Sequence, residues 1–260
     1  MSDRIEKKFL ELAKAKRKGL ITFIMGGDPN AKKSQAILNK LPSAGADIIE
    51  IGMPFSDPMA DGPVIQAAGL RALKARTTLK VILTMVKDFR VKDKTTPLIL
   101  MGYFNPIYHY GTGKFCKDAA KAGADGMILV DLPPEEEEEF TTVATPQGLH
   151  LIRLITPTTD DARLALLTRR ASGFLYYVSV AGITGTKSAD AKQLGKRLAH
   201  LKSKTSLPVA VGFGIKTPAQ AKDAAKFSDA VVVGSALVEK IERGQQAAIA
   251  FVKSLRKALG

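Results

Sequence analysis

SAGADIIEIGMPFSDPMADGPVIQ, residues 43–66, holds one strand-and-loop unit whose reading decides the fold. Gly45, just past a helical segment, supplies a left-handed helix stop. The chain then enters DIIEIGM (47–53), which is apolar on both faces, the pattern of a parallel strand covered by helices. A loop rich in Pro, Gly and Asp follows, and after Gly62-Pro63 the chain turns helical again. Comparable runs recur outward in both directions. LITFIM (20–25) precedes it, and LILMG (98–102), GMILVD (126–131), LHLIRLI (149–155), FLYYVSV (174–180), LPVAVGF (207–213) and DAVVVGS (229–235) come after. Each gap is long enough for a crossover helix, and KAGADG (121–126) repeats the glycine stop. Eight strands alternating with helices predict closure into one (β/α)₈ barrel domain over residues 1–260, with residues 1–18 as an N-terminal helix. An open doubly wound sheet would carry a Gly-rich phosphate turn after its first strand, and GGDP (26–29) lacks that spacing.

A length of 260 residues suits such a barrel, which typically takes about 250. With 45% apolar and 25% charged residues the chain has the balance of a packed globular protein and excludes disorder. No apolar run approaches the roughly 18 residues of a membrane span, and the charged start MSDRIEKKFLELAKAKRKG reads as an amphipathic helix with no signal peptide before it. A single cysteine, Cys116, excludes an internal disulfide and a cysteine-rich zinc site, so a cytoplasmic location is expected. The net charge of +14 is spread over residues 7–18, 72–94 and 187–204 without a compact basic block or interleaved aromatics. It reads as a solvated surface that draws anionic substrates, with no specific nucleic-acid site. The run Glu135 to Glu139 after Pro133-Pro134 reads as the solvated first turn of a helix, and no metal site is expected.

In such barrels the chemistry sits where strands end at the C-terminal face. Three regions there carry polar residues. In the second strand Glu50 shares a face with Ile48 and Gly52, a charge inside an otherwise apolar run. It is either a general acid or base with a raised pKa in the barrel mouth, or a structural glutamate satisfied by a buried partner. The loop after it offers Asp57 and Asp61, each a candidate site carboxylate, and Asp61 is equally placed to cap the next helix. After the sixth strand, Gly182, Thr184, Gly185 and Lys187 have the composition of a lid. After the seventh and eighth strands, Gly214, Gly234 and Ser235 stand where barrels of this kind bind phosphate through backbone N–H groups and a helix N-terminus.

At these residues the chain resembles the tryptophan synthase alpha subunit family over about residues 15–255. The motifs are GDP (27–29), AGADIIEIGMPFSDPMADGP (44–63), MGYFNPI (101–107), DLPPEE (131–136), YVSVAGITG (177–185), GFGI (212–215) and VVGSALV (232–238). The resemblance implies retro-aldol cleavage of indole-3-glycerol phosphate to indole and glyceraldehyde 3-phosphate, with no cofactor in this subunit. It implies Glu50 as the catalytic acid–base, Asp61 as the acceptor of the indole N–H, and Tyr176 near the reacting hydroxyl. Phe23, Ile65, Ile128 and Phe213 match positions around the indole, though each equally suits plain barrel core, and Gly185, Gly214, Gly234 and Ser235 match the phosphate site. It further implies an αββα assembly in which indole passes to a beta subunit that carries pyridoxal phosphate. Asp57, Asn105, Pro106 and Thr184 match loops that meet or respond to that partner. Competing readings are a barrel with another sugar-phosphate substrate, which would favour a catalytic Lys, and a barrel that only activates a partner.

Overall fold

The structure, a computed structural model, describes residues 3–179, 188–212 and 214–260, of residues 188–191 the backbone alone. Among the described residues nine parallel strands run in chain order: β1 (Gly19–Met25), β2 (Ile48–Gly52), β3 (Leu98–Gly102), β4 (Gly126–Leu129), β5 (His150–Leu151), β6 (Arg153–Ile155), β7 (Leu175–Val178), β8 (Val209–Gly212) and β9 (Ala230–Val233). Their neighbours in the sheet follow the order β5-β4-β3-β2-β1-β9-β8-β7-β6. The two end members are consecutive in sequence, broken only at Ile152. The first half of that stave pairs with β4 and the second with β7, so eight staves make a nearly closed barrel.

The helices between them are α1 (Arg4–Lys14), α2 (Ala31–Leu38), α3 (Leu41–Ala44), α4 (Pro63–Lys74), α5 (Leu79–Lys92), α6 (Phe104–Tyr110) and α7 (Thr112–Ala122). After these come α8 (Glu138–Ala144), α9 (Asp161–Arg169), α10 (Ser188–Ser203), α11 (Pro218–Ala225), α12 (Ser235–Glu242) and α13 (Gln245–Leu259). Among the described residues no helix is long and apolar enough to cross a membrane. Gly45 and Gly123 end α3 and α7 at φ 112° and 102°, the left-handed stops that the two GAD segments imply.

Alternation along each strand separates two cores. Outward residues such as Leu20, Ile49, Leu100, Val211 and Val231 pack under the helices. Inward residues Ile21, Ile48, Ile99, Ile128, Ile152 and Ala210 fill the barrel itself. Helix α1 closes the N-terminal end of the barrel by adding Ile5, Phe9 and Leu12 to that inner cluster, with the Phe9 and Phe174 rings 5.7 Å apart. Each large side chain so buried contributes about 1.5–3 kcal/mol. The helix is shorter than the 1–18 stretch read from sequence. Asp3 caps its start through the Glu6 N–H, and the chain leaves it at Ala15, because Lys16 turns left-handed at φ 52° to reach β1.

The acidic run before α8 needs a second correction. Glu137 is not solvated: it is 3% exposed and forms an ion pair with Arg153 on the outer face of β6. Burial pulls the Arg153 guanidinium down to about 10, and its Nη1 also donates to the Leu132 carbonyl at 2.9 Å. A helix-start rule sees only the local dipole; the arginine that draws Glu137 inward comes from another strand.

Candidate active site

A cavity of about 350 Å³ opens at the C-terminal end of the barrel. Alternation puts Phe23 of β1 and Glu50 of β2 side by side in register, and both line it. Tyr176 of β7 comes in from the opposite staves, and the loop before α4 brings Asp61 over the rim. Ile65 on α4 and Met101 on β3 add apolar wall. Two strand-end glycines make the room. A Cβ at Gly52 would lie 2.6 Å from the Phe23 ring, and one at Gly212 would lie 2.3 Å from the Tyr176 hydroxyl.

Glu50 is 1% exposed, and neither carboxylate oxygen has a hydrogen-bond partner among the described residues. Burial alone pushes its pKa up to about 8. Tyr176 is buried as well, and its pKa rises through burial and then through the Glu50 charge. Asp61 is raised by burial, opposed in part by a hydrogen bond from Tyr103. It does not cap α4. That cap is Gly62, without a side-chain bond, while the Asp61 carbonyl accepts from Gln66 Nε2 at 2.8 Å.

The far end of the cavity is built from Gly214, Gly234 and Ser235. Gly214 has φ +84°, and Gly234 precedes α12, in which hydrogen bonding back to the Gly234 carbonyl begins only at Leu237, so the Ser235 and Ala236 N–H groups precede the helical ladder. A helix N-terminus and glycine backbone are suited to an anion. Lys216 adds a cation at the rim, the one positive side chain among the described lining residues.

The structure brings Glu50, Asp61, Tyr176, Phe23, Ile65, Gly214, Gly234 and Ser235 together around one space. Ile128 is elsewhere: fully buried in the inner barrel cluster, it does not line the cavity. Asp57 is exposed on the same loop as Asp61, and Asn105 and Pro106 lie in α6, away from the cavity, with Asn105 exposed. Thr184, Gly185 and Phe213, with Gly182 and Lys187, lie outside the described residues. Sequence reading passed over Tyr103, Lys216 and Gly212, although Tyr103 stands at a strand end inside MGYFNPI, where the rule about polar strand ends already pointed. Among the described residues no three His, Cys, Asp or Glu side chains are grouped to hold a metal ion. A wider groove of about 1050 Å³ lies at the other end, between α1 and the strand entries. Several of its charges are engaged: Lys202 with Asp229, Arg17 with Asp47, Lys18 with the Ser228 carbonyl.

The family model for tryptophan synthase alpha chain matches residues 9–259. The chain belongs to this family. Tryptophan synthase subunit alpha from Legionella pneumophila str. Paris is 42% identical, with 100% of this chain and 99% of that one covered at a TM-score of 0.93. A chain of tryptophan synthase from M. tuberculosis, in an aminoacrylate- and BRD0059-bound form, is 30% identical over 100% and 99% of the two chains, with a TM-score of 0.91. A further M. tuberculosis structure, in space group F222, is 32% identical over 100% and 99% at the same TM-score of 0.91. As a tryptophan synthase alpha chain the protein is a lyase of tryptophan biosynthesis that works beside a beta subunit. The alpha-chain reaction is the cleavage of indole-3-glycerol phosphate to indole and glyceraldehyde 3-phosphate.

Proposed function

We propose that Glu50 is the acid–base group of this cleavage and Asp61 the carboxylate that receives the indole N–H. The observation that carries the reading is the partnerless, buried Glu50 carboxyl facing the cavity that Asp61 overhangs. With a pKa near 8, Glu50 is protonated at neutral pH and ready to donate. Its proton goes to indole carbon 3, leaving a cation centred on the ring nitrogen, which Asp61 stabilises by accepting the N–H. The glutamate, now ionised, takes the proton of the hydroxyl on the adjacent side-chain carbon. A C=O forms there, the carbon–carbon bond breaks, and its electron pair returns to the ring to restore indole. One group donates one proton and recovers one, so the chemistry balances.

Tyr176, beside Glu50, is placed to hold the reacting hydroxyl, while Phe23 and Ile65 flank the ring. The phosphate goes to Gly214, Gly234 and Ser235, where the α12 N-terminus favours negative charge. In this reading Gly185 completes the phosphate site, Phe213 the indole wall, and Thr184 the lid. Asp57, Asn105 and Pro106 face the beta subunit, and the exposed Met59 and Tyr108 on the same two segments add apolar surface to that face. This chain brings no cofactor; pyridoxal phosphate belongs to the beta partner. We take residues 1–260 as one domain in a reducing cytoplasm, where the single cysteine, buried Cys116, needs no disulfide.

The test is release of indole from indole-3-glycerol phosphate by the purified chain, alone and with a matching beta subunit, beside Glu50→Gln. Slow release alone, a strong rise with the partner and loss in the variant are expected. A folded Glu50→Gln protein that keeps its turnover would remove Glu50 from the mechanism.

A further inference from the structure

Tyr103 follows β3 directly and precedes α6, and the residue is 2% exposed. That ring packs against Phe55, which opens the loop carrying Asp61, with centroids 5.4 Å apart. Its hydroxyl is bound to the far end of the same loop: the Ala60 N–H donates to it at 3.0 Å. With that lone pair engaged, the phenolic O–H remains available as a donor to the neighbouring Asp61 carboxylate, whose pKa it lowers against the effect of burial. The next residue is pinned as well, because the Phe104 N–H donates to Asp131 Oδ1 at 2.8 Å. One rigid side chain therefore grips the loop at its start, through Phe55, and at its end, through the Ala60 N–H next to Asp61.

The rest of the loop has few anchors of its own. Its internal bonds are short-range, Met59 N–H to the Asp57 carbonyl at 2.9 Å and Asp61 N–H to the Pro58 carbonyl at 3.1 Å, and Met59 is 78% exposed. Those bonds shape the turn without tying it to the barrel.

We propose that Tyr103 is the positioning residue for Asp61, its hydroxyl holding the backbone beside Asp61 at the cavity while its ring fixes the start of the loop. The inference rests on the Asp61 role proposed above. Two effects follow from the geometry. The carboxylate is held where an indole N–H would meet it, without the entropy cost of ordering a free loop. The phenol also stabilises the ionised form that can accept that N–H, against the burial that favours the neutral acid. The Tyr103 proton stays in place, since burial first and the Asp61 charge after it push its own pKa up to about 12.

Tyr103→Phe removes one oxygen and keeps the ring against Phe55. Indole release by the alpha–beta complex is measured against pH for the parent protein, Tyr103→Phe and Asp61→Asn, with thermal melting of each alpha chain. In Tyr103→Phe we expect kcat/KM to fall by several-fold to about 10-fold, the worth of one hydrogen bond, with little change in melting temperature. The acid limb of its profile moves to higher pH, while the alkaline limb, set by Glu50, stays. Asp61→Asn is slow at every pH and loses the acid limb. A Tyr103→Phe enzyme with the parent rate and acid limb, beside an impaired Asp61→Asn, would overturn the inference and leave the Asp61 role standing. So would a loss of rate with the acid limb unmoved, which marks a merely structural tyrosine. Near-normal turnover in Asp61→Asn would instead remove the Asp61 role itself.

Discussion

Asp47, just before β2, and Glu50, at the middle of that strand, stand three residues apart, and their surroundings are opposite. Asp47, at the N-terminal end of the barrel, is 5% exposed and saturated. It meets Arg17 at 2.5 Å and Arg256 at 2.8 Å, and accepts the Leu20 N–H at 2.8 Å. Glu50, facing the cavity at the C-terminal end, is equally buried and meets no described partner. The pattern extends around the barrel. Asp125 receives Arg4, Arg90 and the Leu98 N–H, and Asp229 receives Lys202 and the Val209 N–H. Each of these aspartates sits just before a strand and bonds the N–H at the start of the neighbouring one, so it fastens adjacent staves. One end of the molecule spends its carboxylates on holding the barrel closed, and the other keeps a carboxyl unpaired for chemistry.

The largest effect that separates the two ends is on turnover. Glu50→Gln is expected to cut indole release by about 10²- to 10⁴-fold, the usual worth of a general acid–base, in a protein that still folds. The reverse is expected of Asp47→Ala. Removing the carboxylate leaves the Leu20 N–H without its acceptor and Arg256 without its ion-pair partner, while the more exposed Arg17 turns to water, at a cost of about 1–3 kcal/mol in a denaturant melt, and the folded fraction keeps its specific activity. An Asp47→Ala protein of parental stability would erase the contrast.

A third effect follows from proton linkage. The folded pKa of Glu50 is raised from 4.5 to about 8, so the native state holds a proton that the unfolded chain releases. Below pH 4.5 the group is neutral in both states and costs nothing. As pH rises from 4.5 to about 8, the parent protein loses stability through this group, on the order of 3 kcal/mol by neutral pH, and the loss levels off above 8. Glu50→Gln has no such loss, so its melting temperature should equal the parent's near pH 5 and exceed it near pH 8. A constant gap across that range would mean that Glu50 is not held neutral. The smallest effect concerns the anion end of the cavity. Ser235→Ala leaves the backbone donors of α12 in place, so only a few-fold rise in KM is expected, on the order of one hydrogen bond, with kcat and stability unchanged.

Much of this was legible in the chain. The strand runs lie where the structure places strands, because runs apolar on both faces are buried on both faces whatever their neighbours. The loop from Pro54 to Gly62 read as irregular and carboxylate-bearing, since Pro and Gly forbid a helix there. Other features were not legible. The break at Ile152 depends on which neighbour each half of that stave pairs with. Glu137 read as solvated because its cation, Arg153, arrives from another strand. Ile128 matched a pocket position, yet inward-facing residues at different heights of a barrel look alike in sequence, and only those near the C-terminal end reach the cavity. Tyr103 was passed over because an aromatic after a strand reads as core until its hydroxyl is seen against Ala60.

Sequence alone determined the order of strands, the single face shared by Ile48, Glu50 and Gly52, and the loop that carries Asp61. All of these follow from periodicity and turn chemistry within a few residues. That the Glu50 face looks inward came from the closed barrel. Tertiary structure alone decided which carboxylates are neutralised. The arginines that saturate Asp47 come from 30 and 209 residues away, and no cation among the described residues comes to Glu50. A carboxyl's chemistry is set by the charge, hydrogen bonds and water around it, and those are supplied by whichever distant segments the closed barrel brings near.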